Sequence, residues 1–343
     1  MWAAYRAEPA VPRPPPRAGG VPVRPSGDRG AEVMSAADLF DHPALFYRGE
    51  AEYLAGVLPF VRDALAAEEP VAVAVPGENL DLVRDALGAC AGAVRLLDMR
   101  EAGRNPGRIL PAVLHAFADA QPPGRRVRIV GEPVWAGRSS VEYPACVQHE
   151  ALINAAFRGR AVTVLCPYDA GRLDPGVLAD AYVTHPTVVP AGATVAHDSR
   201  AYAPEQAVAR YNVPLPPAPP GAPACAFTAA ALSPARHHAV AEGRRLGLTG
   251  VRLDDLALVT AELTTNSVVH GGGAGTLWVW AESGYVVCEV RDDGRLTDPL
   301  AGRRPAPRER RGGRGLLLVN LVSDLVRTHT GDDGTTVRAY FAV

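Results

Sequence analysis

Two polar residues near the C-terminus have the types and spacing for phosphate chemistry. Glu262 and Asn266 are four positions apart in a segment with helical periodicity, so they share one helix face. A carboxylate stacked beside a carboxamide suits hard cations and phosphate groups. The alternative interpretation is a solvated polar face on an amphipathic helix.

Two glycine-containing turns follow this pair along the chain. Asp292 and Gly294 come at the end of an apolar strand, and the segment 313–315, Gly-Arg-Gly, directly precedes a predicted helix. Glycine allows a ligand to approach the backbone closely, and amides at a helix N-terminus favour phosphate groups. For the first segment a plain Asp-Asp-Gly turn is the alternative. Thr335 lies on the predicted last strand, where an ordinary strand threonine is the competing interpretation.

The chain contains no lysine, and this excludes several kinds of site. All 35 basic residues are arginine. A Walker A loop, a eukaryotic-type protein kinase and a Schiff-base enzyme each need a lysine side chain. The net charge of −2 gives no general attraction to nucleic acid or to an anionic membrane. No helix-turn-helix with a basic recognition face is evident, so direct DNA binding is not expected.

Hydrophobic periodicity predicts an α+β sandwich over residues 225–343, with one sheet and helices on one of its faces. One predicted helix ends near residue 246, and two others span 253–270 and 315–327. The predicted strands span 276–281, 285–291 and 335–343.

The order and spacing of these segments resemble the ATP site of the GHKL class, which includes gyrase, Hsp90 and the ATPase domains of histidine kinases and anti-sigma kinases. The resemblance implies a Bergerat-type fold with ATP and Mg²⁺ as ligands. It assigns Asn266 as the Mg²⁺ ligand, Glu262 as general base and Asp292 as partner of the adenine amino group. The other implied ATP-binding residues are Gly294, Gly312, Gly313, Arg314, Gly315, Leu316 and Thr335.

Two details of this resemblance concern the segment that follows Asp292. The family pattern has a second glycine where this chain has Leu296. The segment between Gly294 and Gly312 corresponds to the family's ATP lid. One interpretation is that its arginines contact phosphates or an acidic partner, and the other is that they belong to a solvated loop. These arginines are Arg303, Arg304, Arg308, Arg310 and Arg311.

The compact motifs around Asn266 and Gly315 are similar to those of anti-sigma-factor serine kinases. This implies a serine/threonine kinase and anti-sigma factor that acts on a STAS-type anti-anti-sigma partner, with a sigma factor as a further partner and a homodimer as an expectation. One alternative is a histidine kinase, with His237, His238 or His270 as acceptor. The proline-rich segment before this domain, where a dimerisation hairpin would lie, counts against it. The other alternative is a non-catalytic, ATP-dependent binding switch.

Strands and helices alternate over residues 38–190, which predicts a parallel α/β sheet. This region resembles the MEDS sensory domain, named from methanogens, methylotrophs and a dichloromethane regulator. That family implies a RecA-like fold that senses an unknown small molecule without hydrolysing nucleotide. The resembling segments are 42–47, 130–135, Glu142-Tyr143, His149-Glu150 with Asn154, 166–169 and 184–186.

Several polar residues of this domain could meet at strand ends, where open α/β sheets bind ligands. The candidates for a sensory pocket are His42, Tyr47, Glu132, His149, Cys166, Tyr168 and His185. The sequence favours helical capping and buried hydrogen bonds over a zinc site involving Glu150 and these histidines, because it has no close ligand pair such as His-x-x-x-His.

The chain of 343 residues is long enough for two domains. Residues 1–37, rich in proline, arginine and glycine, are predicted to be disordered, with Met34 as an alternative start. The proline-rich segment 191–224 is predicted to be a semi-rigid linker. Five scattered cysteines without a Cys-x-x-Cys pair, and the lack of a signal peptide or long apolar run, predict a cytoplasmic setting.

Overall fold

A computed structural model describes residues 39–305 and 313–343. The predicted tail (1–37), Gly312, Arg308, Arg310 and Arg311 lie outside the described residues. Within the described ranges, no helix combines the length and apolarity that crossing a bilayer requires.

The N-terminal part of the described chain is built on one seven-stranded sheet, whose strand order is β3-β2-β4-β5-β1-β6-β7. All neighbouring strands are parallel except the last pair. Its strands are β1 (Pro43–Tyr47), β2 (Val71–Val75), β3 (Arg95–Asp98), β4 (Val127–Gly131), β5 (Val162–Asp169), β6 (Thr187–Val189) and β7 (His197–Asp198).

Helices cover both faces of this sheet, so its central strands are buried on both sides and are continuous apolar runs such as Val71–Val75. The helices are α1 (Gly49–Ala66), α2 (Gly77–Leu87), α3 (Met99–Ala102), α4 (Pro106–Ile109), α5 (Ala116–Asp119), α6 (Tyr143–Ala156), α7 (Pro175–Thr184) and α8 (Pro204–Arg210). A π-helical stretch, Leu110–His115, joins α4 to α5. The predicted parallel α/β fold is confirmed.

The segment predicted as a linker (191–224) is shorter than expected. Strand β7 pairs with β6, and α8 packs on α6 and α7 with Ala207 buried in the core. The prediction was wrong for this part because proline at the first position of a helix favours helix formation, and Pro204 occupies that position in α8. Residues 191–196, 199–203 and 211–223 lack helix and strand.

The C-terminal part has a five-stranded antiparallel sheet with strand order β11-β12-β10-β9-β8. Helices α9, α10 and α11 lie on one face and form one core with it. The strands are β8 (Ala224–Thr228), β9 (Ala274–Glu282), β10 (Tyr285–Asp292), β11 (Leu325–Gly331) and β12 (Gly334–Ala342), and the helices are α9 (Leu232–Arg245), α10 (Val251–His270) and α11 (Gly315–Val322). The predicted α+β sandwich is confirmed.

One predicted helix of this domain is partly wrong. The helix predicted over 315–327 ends at Val322, and β11 begins at Leu325. Apolar residues run from the helix into the strand, which hides the boundary. Asp324 marks it in the structure, since its carboxylate accepts hydrogen bonds from Arg252 and from the Ala342 backbone amide.

The face of the second sheet that is free of helices packs against the first domain. Along β10, Val286 and Cys288 point into the helical core, whereas Val287 joins Trp280 and Tyr340 in a second cluster that includes Ala145 of α6. Strand residues alternate between faces, so β10 is buried on both sides. The two domains therefore share an apolar interface.

Asn105, the N-cap of α4, is a buried polar residue at this interface. Its Oδ1 accepts the backbone N–H of Gly107 at 3.0 Å and that of Val326 at 3.3 Å. Its Nδ2 donates to the carbonyl oxygen of Asn320 at 2.8 Å. One amide thus satisfies backbone groups of both domains.

Replacing Asn105 with alanine is expected to destabilise the protein by about 2–4 kcal/mol, because each buried group left without a partner costs about 1–3 kcal/mol. Thermal unfolding should show a lower midpoint for Asn105→Ala and a broader or split transition as the domains uncouple. Gln121→Ala is the control, since the Gln121 side chain donates to the Phe117 carbonyl within its own domain. Equal losses in both variants would contradict this role of Asn105.

Candidate functional site

Glu262 and Asn266 lie on one face of α10, as their spacing predicts, and both are half-buried. Neither side chain has a hydrogen bond or ion pair with any other residue that the structure describes. Gly315, the first residue of α11, lies directly against them: a Cβ there would come within 2.6 Å of Glu262 Oε2 and 3.4 Å of Asn266 Nδ2. A carboxylate and an amide thus face the start of a helix without protein partners.

The described residues directly before α11 are Gly313 and Arg314. Gly313 has φ +78°, a left-handed conformation that glycine adopts without steric cost, and both Gly313 and Arg314 are exposed. Leu316 packs into the helical core and against Gly302. The helix N-terminus is therefore open to an anion beside Glu262 and Asn266.

Asp292, at the end of β10, forms a tight corner with the C-terminal part of α10. Its Oδ2 accepts the Ser267 hydroxyl at 2.6 Å, and its Oδ1 accepts the Gly294 N–H at 2.9 Å. Glycine is required on both sides, because a Cβ on Gly271 would collide with the carboxylate and one on Gly294 would lie 2.5 Å from the Gly271 Cα. The corner holds the carboxylate in one orientation.

Thr335 fixes the loop that follows Asp292. The two residues are paired across β10 and β12, and the buried Thr335 hydroxyl donates to the Gly294 carbonyl at 2.8 Å. It also shares a hydrogen bond with Thr330 Oγ1, which accepts the Leu296 N–H. Leu296, which stands where the family pattern has glycine, is held through its backbone, so the loop closes without that glycine.

Ser267 and Gly271 belong to the compact motif around Asn266, but sequence reasoning assigned neither of them a role in the site. Both lie within five residues of Asn266, and helical periodicity places Ser267 and Gly271 one turn apart on the same face. That spacing was the available signal. The contact with Asp292 that gives them their role comes from the packing of α10 on β10.

The seven sensory candidates are distributed over separate places. His42, just before β1, Cys166, within β5, and His185, just after α7, meet Glu150 of α6. Tyr168 packs edge-on against His185 and Phe46. The pKa of His42 is lowered to about 4, mainly by burial and to a smaller extent by repulsion from His185.

Tyr47 and Glu132 form a different group, at the N-terminal end of α2. The Tyr47 hydroxyl donates to Glu132 Oε1 at 3.0 Å, and Asn79 Nδ2 donates to Oε2 at 2.8 Å. Burial raises the pKa of Glu132 to about 8, against the opposing effect of these two hydrogen bonds. The carboxyl group therefore retains its proton to a higher pH than an exposed glutamate does.

His149 belongs to neither group. It is buried on α6, and its Nδ1 has no hydrogen-bond partner among the described residues. Burial lowers its pKa to about 3, and the charge of Arg303, which belongs to the predicted ATP lid, opposes its protonation further. His149 thus lies on the side of α6 that is turned toward the second domain.

Comparison with protein families identifies both domains. Residues 41–186 match the MEDS family, described as the methanogen/methylotroph, DcmR sensory domain. Residues 225–341 match the histidine kinase-like ATPase domain. The chain is a MEDS domain followed by a histidine kinase-like ATPase domain. No curated protein matches the chain.

In the MEDS domain, a cleft of about 430 Å³ opens beside the His42–His185 cluster, between α6, α8 and the start of the ATPase lid. None of the seven sensory candidates lines it among the described residues. Its polar lining includes Asn154 and Arg158, and Pro299 of the ATPase domain closes one side. Asn154 also contacts His42, so the cleft and the cluster share a residue.

The raised pKa of Glu132 predicts a pH-dependent stability. The folded protein binds this proton more tightly than the unfolded chain does, so the contribution is full below about pH 4.5 and is lost as the pH rises towards about 8. Glu132→Gln keeps the shape without a titrating group. Its free energy of unfolding relative to wild type should therefore rise by about 2 kcal/mol or more between about pH 5 and pH 8.5, since one pKa unit is about 1.4 kcal/mol.

Thermal unfolding of both proteins across this range checks the expectation, with the exposed Glu101→Gln as control. A difference between Glu132→Gln and wild type that stays constant with pH would show that the Glu132 carboxyl is ionised in the folded protein.

Proposed function

We propose that the chain is a regulatory protein that binds Mg·ATP in its ATPase domain and transfers the γ-phosphoryl group to a serine or threonine of a STAS-type anti-anti-sigma protein. It acts as an anti-sigma factor, and its MEDS domain controls this activity in response to a small molecule. The observation that carries the proposal is the pair Glu262 and Asn266, half-buried, without hydrogen-bond or ion-pair partners among the described residues, and lying against Gly315 at the start of α11.

The residues present fit Mg·ATP. Asn266 offers an amide oxygen to Mg²⁺, which would neutralise phosphate charge beside the N-terminus of α11. Asp292 has both oxygens fixed by Ser267 and Gly294 yet retains acceptor capacity for an amino group such as that of adenine.

Glu262 is placed to act as general base. Its carboxylate has no competing cation among the described residues, so it is free to accept the proton of an attacking hydroxyl. Phosphoryl transfer depends mainly on positioning and electrostatics, and the half-buried site provides both. A serine or threonine of the partner would enter beside the exposed Gly313 and Arg314.

Contacts of the lid support control by the MEDS domain. Leu300, in the first part of the lid, is buried in the core of the MEDS domain. The Arg303 Nη1 atom is buried without a hydrogen-bond partner among described residues, and burial lowers the pKa of Arg303 to about 10. Asn320 joins the two domains, since its Nδ2 donates to the Gly302 carbonyl and its own carbonyl accepts from Asn105.

The histidine-kinase alternative has less support. The described segment 212–223 before β8 contains no helix and so no helical hairpin. His237 and His270 are exposed, whereas His238 has a buried Nε2 without a partner among the described residues. A non-catalytic binding switch is the second alternative, and substitution of Glu262 separates it from a kinase.

Asn266→Ala and Asp292→Ala are each expected to weaken Mg·ATP binding at least about tenfold in calorimetry, which corresponds to the loss of about 1.4 kcal/mol. Glu262→Gln should retain binding while phosphotransfer to a STAS protein falls about 10²- to 10⁴-fold, the range for a general base. Thr265→Ala, at the exposed neighbouring position, is the matched control. If the wild-type protein binds no Mg·ATP, the kinase proposal fails. If it binds ATP and its partner without phosphotransfer, the binding switch replaces the kinase.

Leu300→Ala is expected to release the lid from the MEDS domain and to raise the rate of ATP turnover severalfold, because truncating a buried leucine costs about 2–5 kcal/mol of packing. Limited proteolysis of the lid should accelerate in parallel. Arg304→Ala, an exposed lid position, is the control. An unchanged or lower turnover in Leu300→Ala would mean that the docked lid does not restrain the site.

A further inference from the structure

Four residues with metal-binding side chains meet inside the MEDS domain. His42 precedes β1, Glu150 lies on α6, Cys166 on β5, and His185 directly follows α7. All four are buried, with at most 1% of each exposed. We propose that His42, Glu150, Cys166 and His185 bind one Zn²⁺ ion. The sequence argued against such a site because it contains no pair of ligands close together in the chain. The parallel sheet brings these four residues together from distant positions.

The distances between ligand atoms fit a tetrahedral zinc centre. His42 Nε2 lies 3.2 Å from Glu150 Oε2 and 3.3 Å from Cys166 Sγ. Glu150 Oε2 lies 3.3 Å from His185 Nε2 and 3.4 Å from Cys166 Sγ. Ligands bound to Zn²⁺ at about 2.0–2.3 Å in a tetrahedron lie about 3.3–3.7 Å from one another. All four atoms lie within 4.8 Å of one another, so small side-chain rotations would complete the geometry.

Neighbouring hydrogen bonds orient both imidazoles toward the centre. Asn154 Nδ2 donates to the carbonyls of Thr184 and Ala151, so its Oδ1 is the atom that faces His42 Nδ1, and that nitrogen must carry the proton. His185 Nδ1 donates to the Ala181 carbonyl at 2.9 Å. Each ring thereby directs the Nε2 lone pair inward, which is the arrangement that carbonyl and amide partners impose on metal-bound histidines.

Without a cation, the inner atoms of this cluster are poorly satisfied. Two Nε2 lone pairs and a thiol surround a carboxylate, and Glu150 Oε1 and His185 Nε2 have no hydrogen-bond partner among the described residues. A buried polar group without a partner costs free energy. With Zn²⁺, one thiolate and one carboxylate balance the two charges of the metal, and two neutral imidazoles complete the set. The bound centre would be uncharged in a fully buried place.

The ligand types indicate the metal and its role. Imidazole and thiolate together favour zinc over magnesium or calcium, which prefer oxygen ligands. Four protein ligands in a closed, buried site are typical of structural rather than catalytic zinc. The ion would connect β1, β5, α6 and α7, and thereby hold the wall of the cleft that Asn154 lines.

Metal analysis of the full chain, produced without a polyhistidine tag in zinc-supplemented medium, tests the proposal. We expect about one Zn²⁺ per chain after extensive dialysis, and replacement by Co²⁺ should give tetrahedral d–d bands with thiolate-to-metal charge transfer. Cys166→Ser should abolish the charge-transfer band, and Glu150→Gln, which conserves volume, should lower the zinc content at least about tenfold. Cys146→Ser is the matched control, because Cys146 is buried on α6 outside the cluster.

The wild-type measurement decides the matter even if a ligand variant does not fold. Wild-type protein without bound zinc, and without a cobalt spectrum after incubation with Co²⁺, would overturn the proposal and leave the cluster as a hydrogen-bonded network. Zinc that persists in Cys166→Ser and Glu150→Gln would place the ion elsewhere. The metal content and the cobalt spectrum do not depend on nucleotide binding or phosphotransfer, so this result is independent of the proposed kinase activity.

Discussion

Burial of helix α6 on nearly all sides is the constraint on which the arrangement of the protein depends. Ten of its residues are buried, among them Glu150 and His149 as well as the apolar Ala145, Cys146 and Leu152. An amphipathic helix on a protein surface would show one polar face. Here one side packs on the parallel sheet and another contacts the sheet and lid of the ATPase domain. The two domains are therefore assembled around a shared helix rather than joined only by a linker.

Placing charged residues on such a helix creates a requirement for compensation. A buried carboxylate or imidazole costs several kcal/mol unless it is paired, hydrogen-bonded or bound to a metal. Glu150 faces His42, His185 and Cys166, and Arg303 of the lid lies near His149 and Cys146 of the same helix. Chemistry in the MEDS domain and the position of the lid thus act on the same rigid element.

The sequence predicted those parts of the fold that depend on patterns among residues close together in the chain. Apolar runs and helical periods predicted most of the parallel sheet and the main helices of the ATPase domain, because those signals are local. Strand β11 was not predicted, since apolar residues continue from α11 across Asp324 into the strand. Helix α8 was not predicted, because the prolines around it indicated a linker.

The same distinction applies to the two sites. Glu262 and Asn266 could be predicted because one helical turn brings them together, and the structure places the glycine of the next motif against them. Ser267 required knowledge of how α10 packs on β10. The His42 cluster depends on strand order: β1 lies between β5 and β6, which brings residues more than 100 positions apart within hydrogen-bonding distance. No local period reports such a contact.

A short chain of contacts joins the described part of the lid to the residues beside Glu262, and under the proposed function it would link lid docking to nucleotide binding. Gly302 lies against Leu316, one residue beyond the Gly315 that faces Glu262, and Asn320 ties Gly302 to Asn105 of the MEDS domain. A lid that moves toward bound phosphates has to withdraw Leu300 from the core and Arg303 from α6. Coupling between two binding events is reciprocal. A ligand that tightens the MEDS domain around the docked lid must therefore weaken nucleotide binding, and bound nucleotide must weaken the binding of that ligand by the same factor. The interface thus provides a physical route from a sensory domain to an ATPase site.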